Sequence, residues 1–334
     1  MDAICTIDVE ATAPGAYRVG WDEQFSRAPV DIFAGPAPHA IATDHALARK
    51  VASGAVVRVA GPRPYFLLRA ADGATLIAAQ RNVPLPGSIN FRDLGGYASS
   101  DGRRVKWGTL FRSGHMANLT ADASADFAAL GIRTVCDFRV VEERAAEAGS
   151  LPADTRLEIL GITPGIGDRF FFHRLFASTD DPAKVVDAIH AMMRALVVNA
   201  APRYARLFEL LLEQPAGATL INCSAGKERT GLASVLLLTA LGVPRATIAY
   251  DFMLSQRYFP AAAEVPRVLQ KYAVRATGAA AASLIRPLLE TRESYLQSAF
   301  AAIDEQYGSG AGMLAQLYGL GPAECGRLRD YFTI

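Results

Sequence analysis

An α/β fold with a central, mostly parallel sheet flanked by helices, preceded by a small all-β sandwich-like unit, is the class this sequence predicts. Three observations carry it. Short β-prone runs crowd the first 82 residues, strand and helix signals alternate after residue 83, and a Pro/Gly-rich stretch separates the two patterns. The expected division is 1–82 for the β-sandwich-like domain and 83–334 for the second domain.

In the first part "AYRVGW", "VDIFAG", "AVVRVAG", "PYFLLRA" and "ATLIAA" are strand candidates, with "GPRP" and "ADGA" as turns. "TDHALARKVASG" is less strand-like, and His39 and His45 stand isolated, as surface residues do. The unit has no evident chemistry and reads as a packing or targeting module. "RNVPLPGS", residues 81–88, reads as a linker, since its prolines and glycine stop both helix and strand. In "LTADASADFAALG" Thr120 is placed as a helix N-cap. "IRTVCDFR" is a β-branched strand with a polar end, "VVEERAAEAG" starts a helix, and "RYARLFELLLEQ" has helical spacing. "ATLINC" is a buried strand, and "GLASVLLLTALG" is a helix closed by Gly242 with Pro244 beyond. "ATIAYDFMLSQRYF", "AEVPRVLQKYAV", "AAAASLIRPLLETRESYLQSAFAAIDEQYG" and "GMLAQLYGL" make the last third helical.

With 334 residues, 51% apolar, and a net charge of +1, the chain can build large cores and shows no bias toward nucleic acid or an anionic membrane. The opening residues lack a basic n-region and a long apolar run, so no signal peptide is read, and no run of about 18 apolar residues suggests a membrane span. The expectation is a cytoplasmic monomer, with leaderless secretion left open. The cysteines Cys5, Cys136, Cys223 and Cys325 lie far apart without zinc spacing and read as reduced thiols.

The chemistry concentrates in "INCSAGKERTG", Ile221 to Gly231, between a buried strand and a helix. Unpartnered N–H groups and the dipole at a helix start form an anion site. Successive N–H groups wrap an oxyanion, Gly226 allows the tight turn, and Arg229 offers a planar fork for two oxygens. Cys223 adds a nucleophile, because helix N-termini and nearby cations favour a thiolate. That points to phosphoryl transfer through a phosphocysteine, with Thr230 donating a hydrogen bond to the departing thiolate. An ATP-binding P-loop does not fit. Ile221 stands where its first glycine belongs, and Glu228 where Ser or Thr holds magnesium. A purely structural cysteine does not account for the full C-x5-R-T-G set, and nothing in the set suggests that a binding loop has lost catalysis. The mechanism calls for no metal and no cofactor.

C-S-A-G-K-E-R-T-G resembles the signature loop of the protein tyrosine phosphatase superfamily. "NFRDLGGYASSDGRRVKWGTLFRSGHMANLT", "LGIRTVCDFRVVEER" and "DFMLS" are similar to segments of its bacterial tyrosine/serine and lipid phosphatases, the group of dual- and triple-specificity enzymes with secreted mycobacterial members. The resemblance covers about residues 83–334. It implies Cys223 as nucleophile, Arg229 as phosphate clamp, and Ser224, Ala225, Gly226 and Lys227 lining the loop. Lys227 matches a lysine associated with phosphoinositide or broad specificity; a solvated lysine that raises the local potential is the other reading. The implied substrates are phosphotyrosine, phosphoserine/threonine or phosphoinositides; a catalytically weak phospho-ligand binding module is the alternative. Two positions depart from the family: Asn222 replaces a histidine, and Glu228 replaces the aspartate proposed as proton donor.

Glu228 is the first candidate acid. Asp137, at the end of "TVCDFR" and on one face with Arg139, is the second; it either acts as acid or holds Arg229 through a charge-assisted pair. On that reading Cys136 points away from the site, which argues against a disulfide with Cys223. Arg139 is a substrate-binding candidate. Arg92 and Asp93 in "NFRD" are read as a structural ion pair. Residues 161–182 are either a lid or a packed surface loop, with Asp168, Asp180 and Asp181 as further acids and His173 as a packing residue.

Overall fold

The computed structural model describes residues 7–334 apart from 62, 118 and 215, so Cys5 lies outside the described residues. The chain opens with β1 (Ile7–Ala13), β2 (Ala16–Trp21), β3 (Val30–Gly35), β4 (Ala48–Val51), β5 (Gly54–Arg58), β6 (Tyr65–Ala70) and β7 (Thr75–Ala79). They form two antiparallel sheets, in the orders β1-β2-β5 and β4-β3-β6-β7. Alternation sends Tyr17, Val19 and Val57 from one sheet and Ile32, Phe66 and Leu68 from the other into a shared core. Two of these seven strands have little sequence signal. β4, inside "TDHALARKVASG", is a short edge strand whose Arg49 and Lys50 face water, which is how edges resist pairing with other chains. β1 is also an edge and mostly exposed, so its apolar alternation is weak.

Residues 81–88 hold neither helix nor strand, yet they are not loose. Val83 and Leu85 are buried with Phe91 and Phe127, and Val83 N–H donates to Phe91 O at 2.9 Å. The sandwich is also fastened to the second unit by a buried Arg63–Asp93 pair at 2.7 Å and by Trp107 Nε1 donating to Ile77 O at 2.9 Å.

The mostly parallel sheet comprises β8 (Arg92–Asp93), β9 (Leu110–Ser113), β10 (Ile132–Asp137), β11 (Arg156–Ile159) and β12 (Ala218–Asn222), in the order β11-β10-β12-β9-β8. All its pairs are parallel except the short β8 against β9. The register sets Asp137 opposite Asn222 and Asn222 opposite Ser113, so the three central strands end together. In a parallel sheet that edge is where sites form.

Helices pack on both faces. α1 (Ala121–Ala129) starts at Thr120, whose side chain accepts from Ala123 N–H as an N-cap should. α2 (Val141–Ala146) follows β10. α3 (Phe171–Ser178), α4 (Pro182–Asn199) and α5 (Ala201–Leu212) precede β12. α4, capped by Asp181, is a long helix not read from the sequence. α4 and α5 are bent by 56° to each other, and their buried faces enter the main core; among the described residues no single helix is long and apolar enough to cross a membrane. α6 (Glu228–Ala240) is buried nearly all round, in keeping with the mostly apolar run Leu232–Ala240. Gly242 follows its C-cap at φ 79°, the conformation expected of a closing glycine. α7 (Arg245–Met253), α8 (Ser255–Tyr258), α9 (Ala261–Lys271), α10 (Gly278–Leu289), α11 (Glu293–Tyr307), α12 (Gly310–Tyr318) and α13 (Pro322–Phe332) complete the chain. The long run around "LIRPLLETRESYL" is two helices, not one, because Glu290 takes an extended backbone between α10 and α11.

Candidate active site

Cys223 follows β12 directly, and the loop Ser224–Lys227 turns into α6. Gly226 makes the turn at φ 68°, and a Cβ there would lie 2.5 Å from Ser113 C and Gly114 N, so both conformation and space require glycine. The Gly226 N–H points at Cys223 Sγ, 3.2 Å away. Thr230 Oγ1, in the first turn of α6, is fully buried and has no partner among the described residues. Cys223, Ser224, Ala225, Glu228 and Arg229 open into one small cavity of about 60 Å³, closed by side chains of α9 and α10.

Arg229 is held on one side. Its Nη1 donates to Glu143 Oε2 at 2.6 Å, Phe138 O at 3.2 Å and Ile162 O at 3.0 Å, and its Nη2 donates to Glu143 Oε1 at 2.9 Å. Nε and the second N–H of Nη2 take no protein acceptor among the described residues, which leaves one edge of the guanidinium for an oxyanion. Glu143 also receives Lys271 Nζ at 2.6 Å and Ser224 Oγ at 2.9 Å. Burial alone would raise the Glu143 carboxyl; the charges of Arg229 and Lys271 overcome it and hold it well below the usual carboxylate range. Burial works against the Arg229 cation too, but Glu143 and Cys223 outweigh it and keep it firmly protonated.

A second network grips the loop from behind. Asn90 Nδ2 donates to Ala225 O at 3.1 Å and Gly226 O at 3.0 Å, and Arg112 Nη2 donates to Gly226 O at 2.8 Å. Asp251 of α7 accepts from Arg92 Nε at 3.2 Å, Arg112 Nη1 at 2.6 Å and the Tyr97 hydroxyl at 3.0 Å, all fully or nearly fully buried. Burial pushes the Asp251 carboxyl up, and the two guanidiniums more than reverse this, leaving it well below its ordinary range. Arg112 is drawn down to about 10 by burial and by neighbouring Arg92.

These contacts correct several expectations. Alternation on β10 puts Cys136 and Phe138 in the core that holds Cys223, while Asp137 lies on the opposite face with Val135 and Asn222. Cys136 is thus the residue on the site's side of the sheet, and Asp137 is not; both thiols are free. Asp137 does share a face with Arg139, but the two engage each other, with Arg139 Nη2 to Asp137 Oδ2 at 2.8 Å and Arg139 Nη1 to Glu147 O at 2.6 Å. Neither lines the cavity at Cys223, and the carboxylate that holds Arg229 is Glu143. Arg92 pairs with Asp251, and Asp93 with Arg63, rather than with each other. Lys227 is neither solvated nor in the cavity. Its Nζ is buried, donating to Leu288 O at 2.7 Å and Glu290 O at 2.8 Å over the Phe259 ring, and burial lowers its pKa.

In residues 161–182, Pro164 and Phe172 line the cavity and Ile162 O holds Arg229, so this segment is packed into the site. Asp168 is exposed and bound to Arg174, and Asp181 caps α4. Glu228 lines the cavity, 3.7 Å from Lys227 Nζ through Oε1. Glu143 was not singled out from the sequence. Its available signal was its place as third residue of a helix starting just after "DFR", where its Oε2 also accepts from Val140 N–H. Lys271 has no local signal, because only the fold of the last third brings it to Ser224. Among the described residues no group of three or more His, Cys, Asp and Glu gathers as metal donors.

A loop between a parallel strand and a buried helix thus brings a cysteine and an arginine to one cavity. The model of the tyrosine phosphatase family matches residues 83–334, and the chain belongs to that family. A protein of Cupriavidus necator, provisionally named a tyrosine-protein phosphatase, is 32% identical over 243 residues, covering 72% of this chain and 85% of that protein. The triple specificity protein phosphatase PtpB of Mycobacterium tuberculosis is 28% identical over 272 residues, covering 73% of this chain and 96% of that one. Among solved structures, P. aeruginosa TpbA is 17% identical with a TM-score of 0.25, covering 56% of this chain and 90% of that one.

Proposed function

We propose that the chain is a metal-independent phosphomonoester hydrolase that works through a phosphocysteine, with phosphotyrosine as its first substrate class. The observation that carries this is the cavity itself. Cys223, Glu228 and Arg229 line it together with the loop residues Ser224 and Ala225, at the start of α6. The family and the names of its relatives favour phosphotyrosine; phosphoserine/threonine and phosphoinositides extend the same reading.

In the first step the Cys223 thiolate attacks phosphorus and the bond to the leaving oxygen breaks. The loop amides and Arg229 stabilise the equatorial oxygens. Glu228 hands a proton to the leaving oxygen. In the second step water attacks the phosphocysteine, Glu228 takes its proton, and the S–P bond breaks with the electron pair returning to sulfur. Thr230 Oγ1, buried and without a partner among the described residues, is the donor assigned to that returning thiolate. Ser224, Ala225 and Gly226 shape the loop, and Lys227 ties it to α10. Asp137 is not assigned as acid, because it sits on the other face of the sheet.

The test is hydrolysis of an aryl phosphate with excess EDTA, wild type beside Cys223→Ser. Turnover by the wild type alone supports the mechanism. Dependence on added magnesium or zinc, or turnover by Cys223→Ser, overturns it. If neither protein turns over while phosphate still raises the melting temperature, the binding-module reading takes its place.

A further inference from the structure

Behind the loop, on the face of the sheet opposite Cys223, lies a second cavity of about 180 Å³. Its walls are mostly apolar, with Met116, Val135, Leu151 and Leu157 among them. Two polar atoms inside it, Asn222 Oδ1 and Arg144 Nε, lack partners among the described residues. Asn222 is fully buried; its Nδ2 reaches Asp137 Oδ1 at 3.4 Å, but its Oδ1 accepts from none of the described residues. Among the described residues Arg144, on α2, has no ion pair and its buried Nε has no acceptor. Asp137 and Arg139, also in the wall, neutralise each other at 2.8 Å. The lining therefore carries one net positive charge, on Arg144, and one unmet acceptor, Asn222 Oδ1.

Buried polar atoms without partners are uncommon and call for an explanation. We propose that this cavity binds a small organic anion that carries a hydroxyl or amine donor next to its charge, such as an aryl hydroxy acid. The anionic group meets Arg144 as a charge-assisted pair. The donor satisfies Asn222 Oδ1, and the apolar body lies against Val135 and Leu151. Asn222 immediately precedes Cys223, and its carbonyl accepts from Phe138 N–H at 2.8 Å. Occupancy is thereby felt one peptide from the nucleophile, without contact with the cavity on the other face.

Mandelate is the probe, because it carries carboxylate, hydroxyl and ring together. Binding is read by calorimetry on the full chain with the front cavity saturated by orthovanadate, so the result does not depend on turnover. Saturable mandelate binding that weakens about tenfold or more in Arg144→Gln, and is largely kept in Arg144→Lys, is the expected result. Phenylacetate, without the hydroxyl, and 1-phenyl-1,2-ethanediol, without the charge, should each bind more weakly. No binding at millimolar mandelate, equal binding by Arg144→Gln, or mandelate competing with orthovanadate would each overturn the proposal. Failure of the phosphatase reading would show instead as absent turnover with this binding intact.

Discussion

Asp251→Asn tests most directly how the loop is held. The wild-type carboxylate faces two guanidiniums, Arg92 and Arg112, and all three side chains are buried. Replacing it leaves two cations, each 0% exposed, without a counter-charge. Removing one partner of a buried pair costs about 3–5 kcal/mol, which for a domain of this size lowers the melting temperature by about 6–20 °C. Arg112 also loses its anchor, so Gly226 O is held by Asn90 alone and turnover should fall together with stability. The sign of the pH dependence is set by the lowered Asp251 pKa. Its contribution is complete above the unfolded value of about 3.9 and is lost as pH falls toward the folded value. The deficit of Asp251→Asn should therefore be full at neutral pH and shrink only below about pH 4. Thermal unfolding of both proteins from about pH 3 to about pH 7 reads all of this. Adding Arg112→Met should recover part of the loss, because it removes one of the stranded charges. A deficit under about 1 kcal/mol at neutral pH, or no recovery in the double variant, would refute the claim that Asp251 is the shared counter-ion.

Glu143→Gln removes the charge that fixes Arg229 and Lys271; aryl phosphate turnover should drop by about 10²-fold, with the larger part in kcat if the guanidinium is misaimed for the transition state. Gly226→Ala should abolish turnover and lower stability, since the added Cβ meets backbone at 2.5 Å; a variant with wild-type rates would mean the loop is looser than described. Glu228→Gln should lose most activity on poor leaving groups and little on p-nitrophenol, measured as the slope of rate against leaving-group pKa; an unchanged slope would move the acid role elsewhere. Arg63→Ala strips the buried Asp93 of its counter-ion and should cost about 3–5 kcal/mol by thermal unfolding while leaving KM unchanged.

The loop could be read directly because its chemistry is local. Cys223, Gly226, Arg229 and Thr230 lie close together in the chain, and one turn of backbone places them, so strand, loop and helix start were legible from residue types alone. The α/β class and the sandwich were legible for the same reason: periods of two and of about 3.6 are local properties. Glu143 was half legible, through its position at a helix start. Asp137 shows the limit. Alternation correctly paired it with Arg139 and set Cys136 on the other face, but which face carries the cavity depends on how the loop after Asn222 leaves the sheet. Lys227 looks like a cavity lysine until α10 supplies Leu288 O and the residue after its C-terminus supplies Glu290 O. Residue order alone placed a thiol and a guanidinium on one strand–loop–helix turn. The tertiary structure decided which carboxylate holds the arginine, which arginines hold the loop and which face of the sheet is the front, because those contacts join residues 86 to 159 positions apart that meet only once the core has packed.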